Sequence, residues 1–190
     1  MSIVMFLGKN VKEYEEKSAE ITNEAINEGK LLCAMCVKPM KQHSEYTRTI
    51  KETGKQIRIK MIWCKPCRDL HALLPDFLLP GKHYSGNEIE SVLIDSATES
   101  VNMIETEASE STVRRWIKQV GESVRRAVSV LKHTFGRAGH AVSEVAVDAG
   151  VAYSELEQIL ELAPDIVKSS GNKLGTANIW IGTLSIRPYI

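Results

Sequence analysis

The sequence predicts an α+β fold, mostly helical, in which an N-terminal β-hairpin unit with four cysteines precedes a bundle of helices. Three observations support this prediction. Two C-x2-C pairs enclose a stretch with strand-like alternation, and an apolar stripe of helical spacing follows in residues 113–135. The composition of the 190-residue chain, with 43% hydrophobic and 25% charged residues, is that of a globular protein rather than a disordered one.

Residues 1–32 predict an N-terminal strand and helix. Residues 10–29 carry an imperfect apolar face, and Gly29 is suited to end the helix. Residues 1–7 lack the basic leader and cleavage site of a signal peptide. No apolar run approaches the roughly 20 residues that span a bilayer. We therefore expect a cytoplasmic protein without a membrane partner, in which cysteines serve a metal or redox site rather than disulfides.

The strongest motif is the pair of pairs Cys33, Cys36 and Cys64, Cys67, separated by 27 residues. Each C-x2-C turn can place two thiolates on one cation, and a hairpin between the pairs would bring all four together. Four sulfurs in a tetrahedron are a preferred environment of Zn²⁺, so the spacing predicts a structural zinc ribbon with Zn²⁺ as its cofactor. Four free buried cysteines, or a rubredoxin-like iron centre, are the alternatives.

Strands at residues 44–50 and 55–63, joined by a turn with Gly54, supply the predicted hairpin. Ribbon knuckles usually carry glycine after the second cysteine, whereas this chain has Val37 and Arg68, which predicts less regular knuckles. His43 and His71 are not needed as ligands, and a surface role is expected for both. Four cations near the site can offset the −2 charge of a Zn(Cys)₄ centre: Lys38, Lys41, Lys65 and Arg68.

Charge is segregated along a chain whose net charge is zero. Residues 33–85 carry ten basic and four acidic groups, residues 86–110 carry seven acidic groups and no basic one, and residues 111–140 carry seven basic and one acidic. A basic block in a neutral chain can bind phosphate because salt confines its field to roughly 8–10 Å. Mutual attraction of the blocks within the fold is the other interpretation.

Helices are predicted at residues 87–97 and 99–106 and from about residue 110 onward, where Ser109 can cap the helix. The short connections predict a helix-turn-helix, with Trp116 packed in its core. The apolar stripe of the last helix comprises Val113, Ile117, Val120, Val124, Val128, Leu131 and Phe135. Beyond it, residues 136–152 predict a loop and a weak helix, residues 154–162 a short helix, and residues 179–186 a strand.

The candidate DNA contacts lie off the apolar stripe and on the hairpin. Hydroxyls can bond phosphate, and arginine can read guanine or phosphate in the major groove. The helix supplies Ser111, Thr112, Arg114, Arg115 and Lys118, and the hairpin supplies Arg48, Arg58 and Lys60. The predicted organisation is an N-terminal strand and helix (1–32), a zinc ribbon with a Pro-rich linker (33–85), a helix-turn-helix (86–135) and a helical or extended tail (136–190).

The order of these parts resembles a bacterial family of small proteins with an N-terminal zinc ribbon and a helix-turn-helix, similar to the DNA-binding front ends of insertion-sequence transposases. The resemblance rests on the two C-x2-C pairs, the HALLPDFLLP segment of residues 71–80 and the STVRRW segment of residues 111–116. It implies DNA binding near transposition, with double-stranded DNA and a transposase or other mobile-element protein as partners. The sequence is also compatible with a homodimer.

No catalytic motif accompanies these elements. The 50 residues after residue 140 lack strand–helix alternation, and the glycines lack the Lys-Ser/Thr partner of a phosphate loop. We therefore expect a zinc-stabilised, sequence-specific DNA-binding protein rather than an enzyme. Two alternatives remain: a redox iron protein, and an interaction adaptor that docks a partner on its ribbon and its apolar tail, comprising Ile179, Trp180, Ile181, Leu184 and Ile186.

Overall fold

The computed structural model describes residues 2–33, 35–137, 148–162, 169 and 171–184. Within them the chain is α+β, with four strands in one sheet and five helices. The strands are β1 (Ser2–Met5), β2 (Lys41–Thr49), β3 (Gln56–Cys64) and β4 (Asp69–Pro75). The helices are α1 (Val11–Asn27), α2 (Gly86–Asp95), α3 (Glu110–Arg137), α4 (Ala149–Leu160) and α5 (Lys173–Leu184).

The sheet has the order β1-β4-β3-β2. The predicted hairpin is confirmed as β2 and β3, which pair antiparallel, and Gly54 in its turn has φ 64°. A third long strand, β4, pairs antiparallel with β3 and parallel with β1. The first strand is therefore part of the same sheet as the hairpin.

Strand β4 occupies residues that the sequence left without regular structure. Its centre is a continuous buried run rather than an alternating one, because a central strand is covered on both faces. The strand ends at Pro75. Proline has no backbone N–H to donate to a neighbouring strand, and at the last position of the strand this interrupts no later hydrogen bond between the strands. Pro75, one of the two prolines of the predicted linker, thus marks the end of the strand.

Helix α1 confirms the prediction for residues 10–29. The side chain of Asn10 accepts a hydrogen bond from Glu13 N at 3.1 Å and caps the first turn. After the last turn, Gly29 adopts φ 68°, a conformation that glycine tolerates without steric cost. The helix buries Tyr14, whose hydroxyl donates to Arg58 O in β3 at 2.8 Å.

The helix predicted at residues 99–106 is wrong. Between α2 and α3 the chain forms turns, in which Thr106 Oγ1 bonds the carboxylate of Glu88 and accepts from Ala108 N. Of the apolar residues there, Ile104 is buried while Met103 is 67% exposed. With so little to bury, a second helix gains no packing energy. The short connection expected of a helix-turn-helix is therefore replaced by 14 residues of turns.

The strand predicted at residues 179–186 is also wrong as far as the structure describes it. Residues 173–184 form α5, and residues 185 and 186 lie outside the described residues. Asn172 Oδ1 accepts from Gly175 N at 2.7 Å at the start of this helix. A Cβ on Gly175 would lie 2.0 Å from Asp76 O, so the glycine permits close contact with the loop after β4. Apolar residues lie on most sides of α5, so the sequence shows no clear helical spacing of apolar positions there.

Two hydrophobic cores hold these elements together. The sheet core packs α1 on the strands around Ile57, Ile59 and Leu73, and includes Cys33 and Cys64. The helix core joins α2 to α5 around Trp116, Leu156 and Trp180. The apolar stripe of α3 is buried or half-buried from Val113 to Leu131, as predicted. The side chain of Phe135 is not among those that the structure describes.

Candidate functional site

The four cysteines meet at one end of the sheet. Cys33 follows α1 in a segment whose Leu32 forms a bridge with Pro39, and Cys64 is the last residue of β3. Cys67 lies in the turn that leads from β3 into β4. The β2–β3 hairpin returns the chain so that the second pair faces the first, which is the arrangement that the spacing predicted.

The sulfur atoms are spaced as one metal ion requires. All four Sγ atoms lie within 4.8 Å of one another, with Cys33 Sγ 3.8 Å from Cys67 Sγ and Cys36 Sγ 3.4 Å from Cys64 Sγ. A tetrahedral ion with metal–sulfur bonds of about 2.3 Å places its ligands about 3.8 Å apart. Four cysteines without another polar ligand form a soft donor set, so the cluster can hold a thiophilic metal.

Both knuckles adopt a left-handed residue directly after the second cysteine. Val37 has φ 56° and Arg68 has φ 53°, and they are the two non-glycine residues with positive φ among those described. The first knuckle is closed by Val37 N donating to Cys33 O at 2.8 Å, and Met35 N points at Cys33 Sγ at 3.4 Å. The absence of glycine therefore leaves the knuckle geometry intact, at the cost of strain at two exposed residues.

The cluster perturbs its own thiols. Burial alone would raise the pKa of Cys33, but hydrogen bonds from the N–H groups of Met35 and Cys36 and from neighbouring thiols lower it to about 6. Hydrogen bonding with Cys36 raises the pKa of Cys67, and burial raises that of Cys64. One thiolate therefore forms more readily than the others, because a second negative charge in the cluster would be repelled by the first. A bound cation relieves that repulsion.

His71 is fully buried, so the surface role expected for it is wrong. Its Nε2 lies 3.9 Å from Cys33 Sγ and 3.8 Å from Asp69 Oδ2. An imidazole N–H in this position can support a metal-bound thiolate without being a ligand. His43 is exposed as expected and packs edge-on against Trp63 at 5.9 Å. The four cations expected to offset the cluster's charge are exposed beside it in the chain: Lys38, Lys41, Lys65 and Arg68.

Most of the candidate DNA contacts are on the surface. Arg114, Arg115 and Lys118 are exposed on α3, as is Ser111, while Thr112 is half-buried. The guanidinium of Arg114 bonds Glu110 Oε1 through NH2 at 2.6 Å. At the start of the helix, Ser109 Oγ lies 3.0 Å from Thr112 Oγ1 and 3.1 Å from Ser111 Oγ.

Trp116 is buried, which confirms its predicted core role. The rings of Trp116 and Tyr84 meet edge-on, with centroids 4.8 Å apart. The anchored face of α3 therefore leaves the opposite face with Arg115 and Lys118 toward solvent.

On the hairpin, only Arg58 is exposed as predicted. Arg48 is 7% exposed and donates from NH2 to Leu79 O at 3.0 Å. Lys60 is 6% exposed, and its Nζ lies 3.1 Å from Glu45 Oε1. Both cations are engaged inside the protein, so the structure removes them from the predicted DNA surface. The alternation of the strands predicts which face carries these two cations. It does not indicate that neighbouring loop and strand residues cover them.

Sequence reasoning missed the role of residues 79–85. The sequence predicts a Pro-rich linker here, yet the segment contacts both the hairpin and α3. Lys82 Nζ donates to Gln119 Oε1 at 2.9 Å, which places a further cation beside the exposed face of α3. The apolar residues that precede Lys82, such as Leu78 and Leu79, indicate that this part of the chain packs against the fold, but not which elements it contacts.

Part of the chain matches a protein-family model. Residues 33–116 match the family described as "Domain of unknown function (DUF6431)". The match runs from the first cysteine to Trp116, so it contains the cysteine cluster, the hairpin and the start of α3. No curated protein and no solved structure matched the chain. Among the described residues, none of the helices has the length and apolar character needed to cross a membrane.

Proposed function

We propose that this chain is a cytoplasmic, Zn²⁺-stabilised DNA-binding protein without catalytic activity. The cysteine cluster holds the ion and organises the hairpin, and the N-terminal half of α3 reads duplex DNA. One observation carries the proposal: Arg114, Arg115 and Lys118 are exposed together on a helix whose other face is anchored in the helix core. Residues three and four apart on a helix are neighbours, so their charges can act on one stretch of phosphates and base edges.

The charge distribution supports duplex DNA as the ligand. The acidic helix α2 packs on α3, and Glu110 pairs with Arg114. Arg115 and Lys118, however, are exposed and form no ion pair among the described residues, and Lys82 bonds Gln119 on the same helix. The role that fits a small binding protein of this kind is accessory or regulator of a mobile element, acting with a transposase. The finer assignment of the cysteine cluster and the hairpin as a zinc ribbon belongs to the same proposal.

A titration of the metal-loaded protein on duplex DNA tests this function. We expect affinity to fall steeply with salt, because each neutralised phosphate releases condensed counterions. Arg114→Ala combined with Arg115→Ala should weaken binding by about an order of magnitude or more, since bidentate arginine contacts are worth about 1–3 kcal/mol each. Glu110→Gln should strengthen binding, because it removes a carboxylate that holds Arg114. No binding to any duplex at low salt would refute the proposal.

A protein-interaction adaptor is the second candidate, and one observation favours it. Apolar side chains are exposed near the cysteine cluster, at Leu32, Met35, Val37 and Leu70. The tail predicted to dock a partner does not offer Trp180 and Ile181 for that contact, because both side chains are buried in the helix core. Co-purification with a partner, lost on Met35→Ser and unaffected by Arg115→Ala, would favour this role over DNA binding.

A further inference from the structure

Residues 79–85, which we call the bridging loop, are fastened to the hairpin at three points. Arg48 NH2 donates to Leu79 O at 3.0 Å, and Lys51 N donates to His83 O at 2.9 Å. At the loop's end, Ser85 N donates to a carboxylate oxygen of Glu52 at 2.8 Å. Three hydrogen bonds therefore hold the loop against the hairpin, despite its glycine and proline.

The same loop is fastened to α3. Tyr84 packs edge-on against the buried Trp116, and Lys51 Nζ lies 5.8 Å from the Tyr84 ring centroid. One turn further along α3, Lys82 Nζ donates to Gln119 Oε1 at 2.9 Å. The bridging loop thus places the side chain of Lys82 against α3 at Gln119, which follows Arg115 by about one helical turn.

Two clefts meet at Lys82. The first, of about 320 Å³, lies between the bridging loop and β2 and is lined by Thr47, Thr49, Lys82 and His83 among others. The second, of about 280 Å³, lies between the bridging loop and α3 and includes Lys82, Gln119 and Arg126, with Glu122 as its one carboxylate. Hydroxyl, amide and cationic groups along a groove are the usual partners of phosphate oxygens.

The charge at this position is not neutralised within the described part of the chain. Lys82 is half-buried, and no carboxylate lies within ion-pair distance of its ammonium there. Burial and then the positive charge of Arg115 lower the pKa of Lys82. Like charges on the bridging loop and on this face of α3 repel, and a bound anion would relieve that repulsion.

We propose that Lys82 and Arg115 form a phosphate clamp that grips the backbone of duplex DNA beside the major-groove face of α3. The proposal rests on the proposed function and adds to it Lys82 of the bridging loop, which acts on the phosphate backbone together with Arg115 of α3. Because the bridging loop is fastened to both the hairpin and α3, the clamp fixes the orientation of α3 on the duplex. Such a contact positions the protein without selecting sequence.

The test compares salt dependence among charge-matched variants of the metal-loaded full chain. Lys82→Gln keeps a side chain that can bond Gln119, and Arg115→Gln changes an exposed residue, so both should stay folded. Lys12→Gln is the control, because Lys12 is exposed on the acidic helix α1. Affinity for an unrelated duplex and for the preferred duplex is measured from low to moderate salt for each variant, with thermal unfolding as a check on folding.

We expect Lys82→Gln and Arg115→Gln each to reduce the slope of log affinity against log salt by about one. Lys82→Gln should weaken both duplexes by the same factor, whereas Lys12→Gln should match the unaltered protein. If Lys82→Gln behaves like Lys12→Gln while the unaltered protein binds DNA, the clamp is refuted and the proposed function stands. If the unaltered protein binds no duplex, both are refuted.

Discussion

Val37 and Arg68 adopt the same left-handed backbone conformation, with φ of 56° and 53°, and each directly follows the second cysteine of its pair. The two knuckles differ in sequence and come from different parts of the chain, one before the hairpin and one after it. Their shared conformation shows that the cysteine spacing, rather than the residue type that follows, imposes the turn. Both residues are exposed, so their side chains contribute little packing that would offset the strain.

Replacement of either residue by glycine is expected to stabilise the metal-loaded protein. A left-handed conformation costs an ordinary L-residue roughly 1–2 kcal/mol, and glycine recovers part of this after its larger loss of chain entropy. We expect Val37→Gly and Arg68→Gly each to raise the free energy of unfolding by about 0.5–1 kcal/mol. Urea unfolding measures it. Lys65→Gly, at an exposed residue without positive φ, should not stabilise the protein, and a gain as large there would contradict the explanation.

Removal of the metal is expected to unfold the cysteine end of the sheet. Structural zinc contributes directly to folding free energy, because no site exists in the unfolded chain. Chelation, or Cys33→Ser, should abolish stoichiometric metal binding and lower the unfolding temperature. Metal analysis of the purified protein identifies the ion. A visible iron–sulfur absorption band would show that the ion is iron rather than zinc. Unchanged unfolding after complete chelation would show that the cluster needs no ion.

Arg48 is expected to stabilise the protein rather than bind DNA. Its buried guanidinium donates to Leu79 O, and a hydrogen bond to a charged group is worth about 1.5–3 kcal/mol. Arg48→Ala should lower the free energy of unfolding by about that amount, measured by urea denaturation. Lys55→Ala removes an exposed cation of the same hairpin and serves as the control. A stable Arg48→Ala variant with weakened DNA binding would restore the original prediction for this residue.

Stability should depend on pH through Glu90, which is buried between α2 and α5. Its Oε1 accepts from Leu174 N at 2.5 Å, and burial raises its pKa to about 7 from 4.5. A carboxyl whose pKa is raised on folding binds more protons when folded, so its contribution to stability declines as pH rises from 4.5 to 7. Glu90→Gln, which resembles the protonated form, should gain roughly 2–3 kcal/mol relative to the unaltered protein between pH 5 and pH 8.

Measuring the difference between variant and unaltered protein cancels any effect of pH on the metal. Glu20→Gln removes an exposed carboxylate and controls for the loss of one charge. A difference between Glu90→Gln and the unaltered protein that stays constant with pH would show that Glu90 is ionised throughout this range.

The features that depend on local spacing were readable from the sequence. The two cysteine pairs, the hairpin with Gly54 at its turn, and the start of α3 at Glu110 follow from short-range patterns, and the structure has each of them. The alternation and helical period that predict such elements act between near neighbours. The proposed DNA surface on α3 comes from the same kind of information, since exposure of Arg115 follows from the helical period around Trp116.

By itself, the sequence determined which residues gather around one metal site and which face of α3 is apolar, because both depend on separations of a few residues. Only the tertiary structure decided that β4 is a central strand, that Arg48 and Lys60 are internal, and that residues 79–85 hold the hairpin to α3. These depend on contacts between residues far apart in the chain, such as Arg48 with Leu79 and Lys82 with Gln119. No local pattern encodes which distant surface will cover a charged side chain.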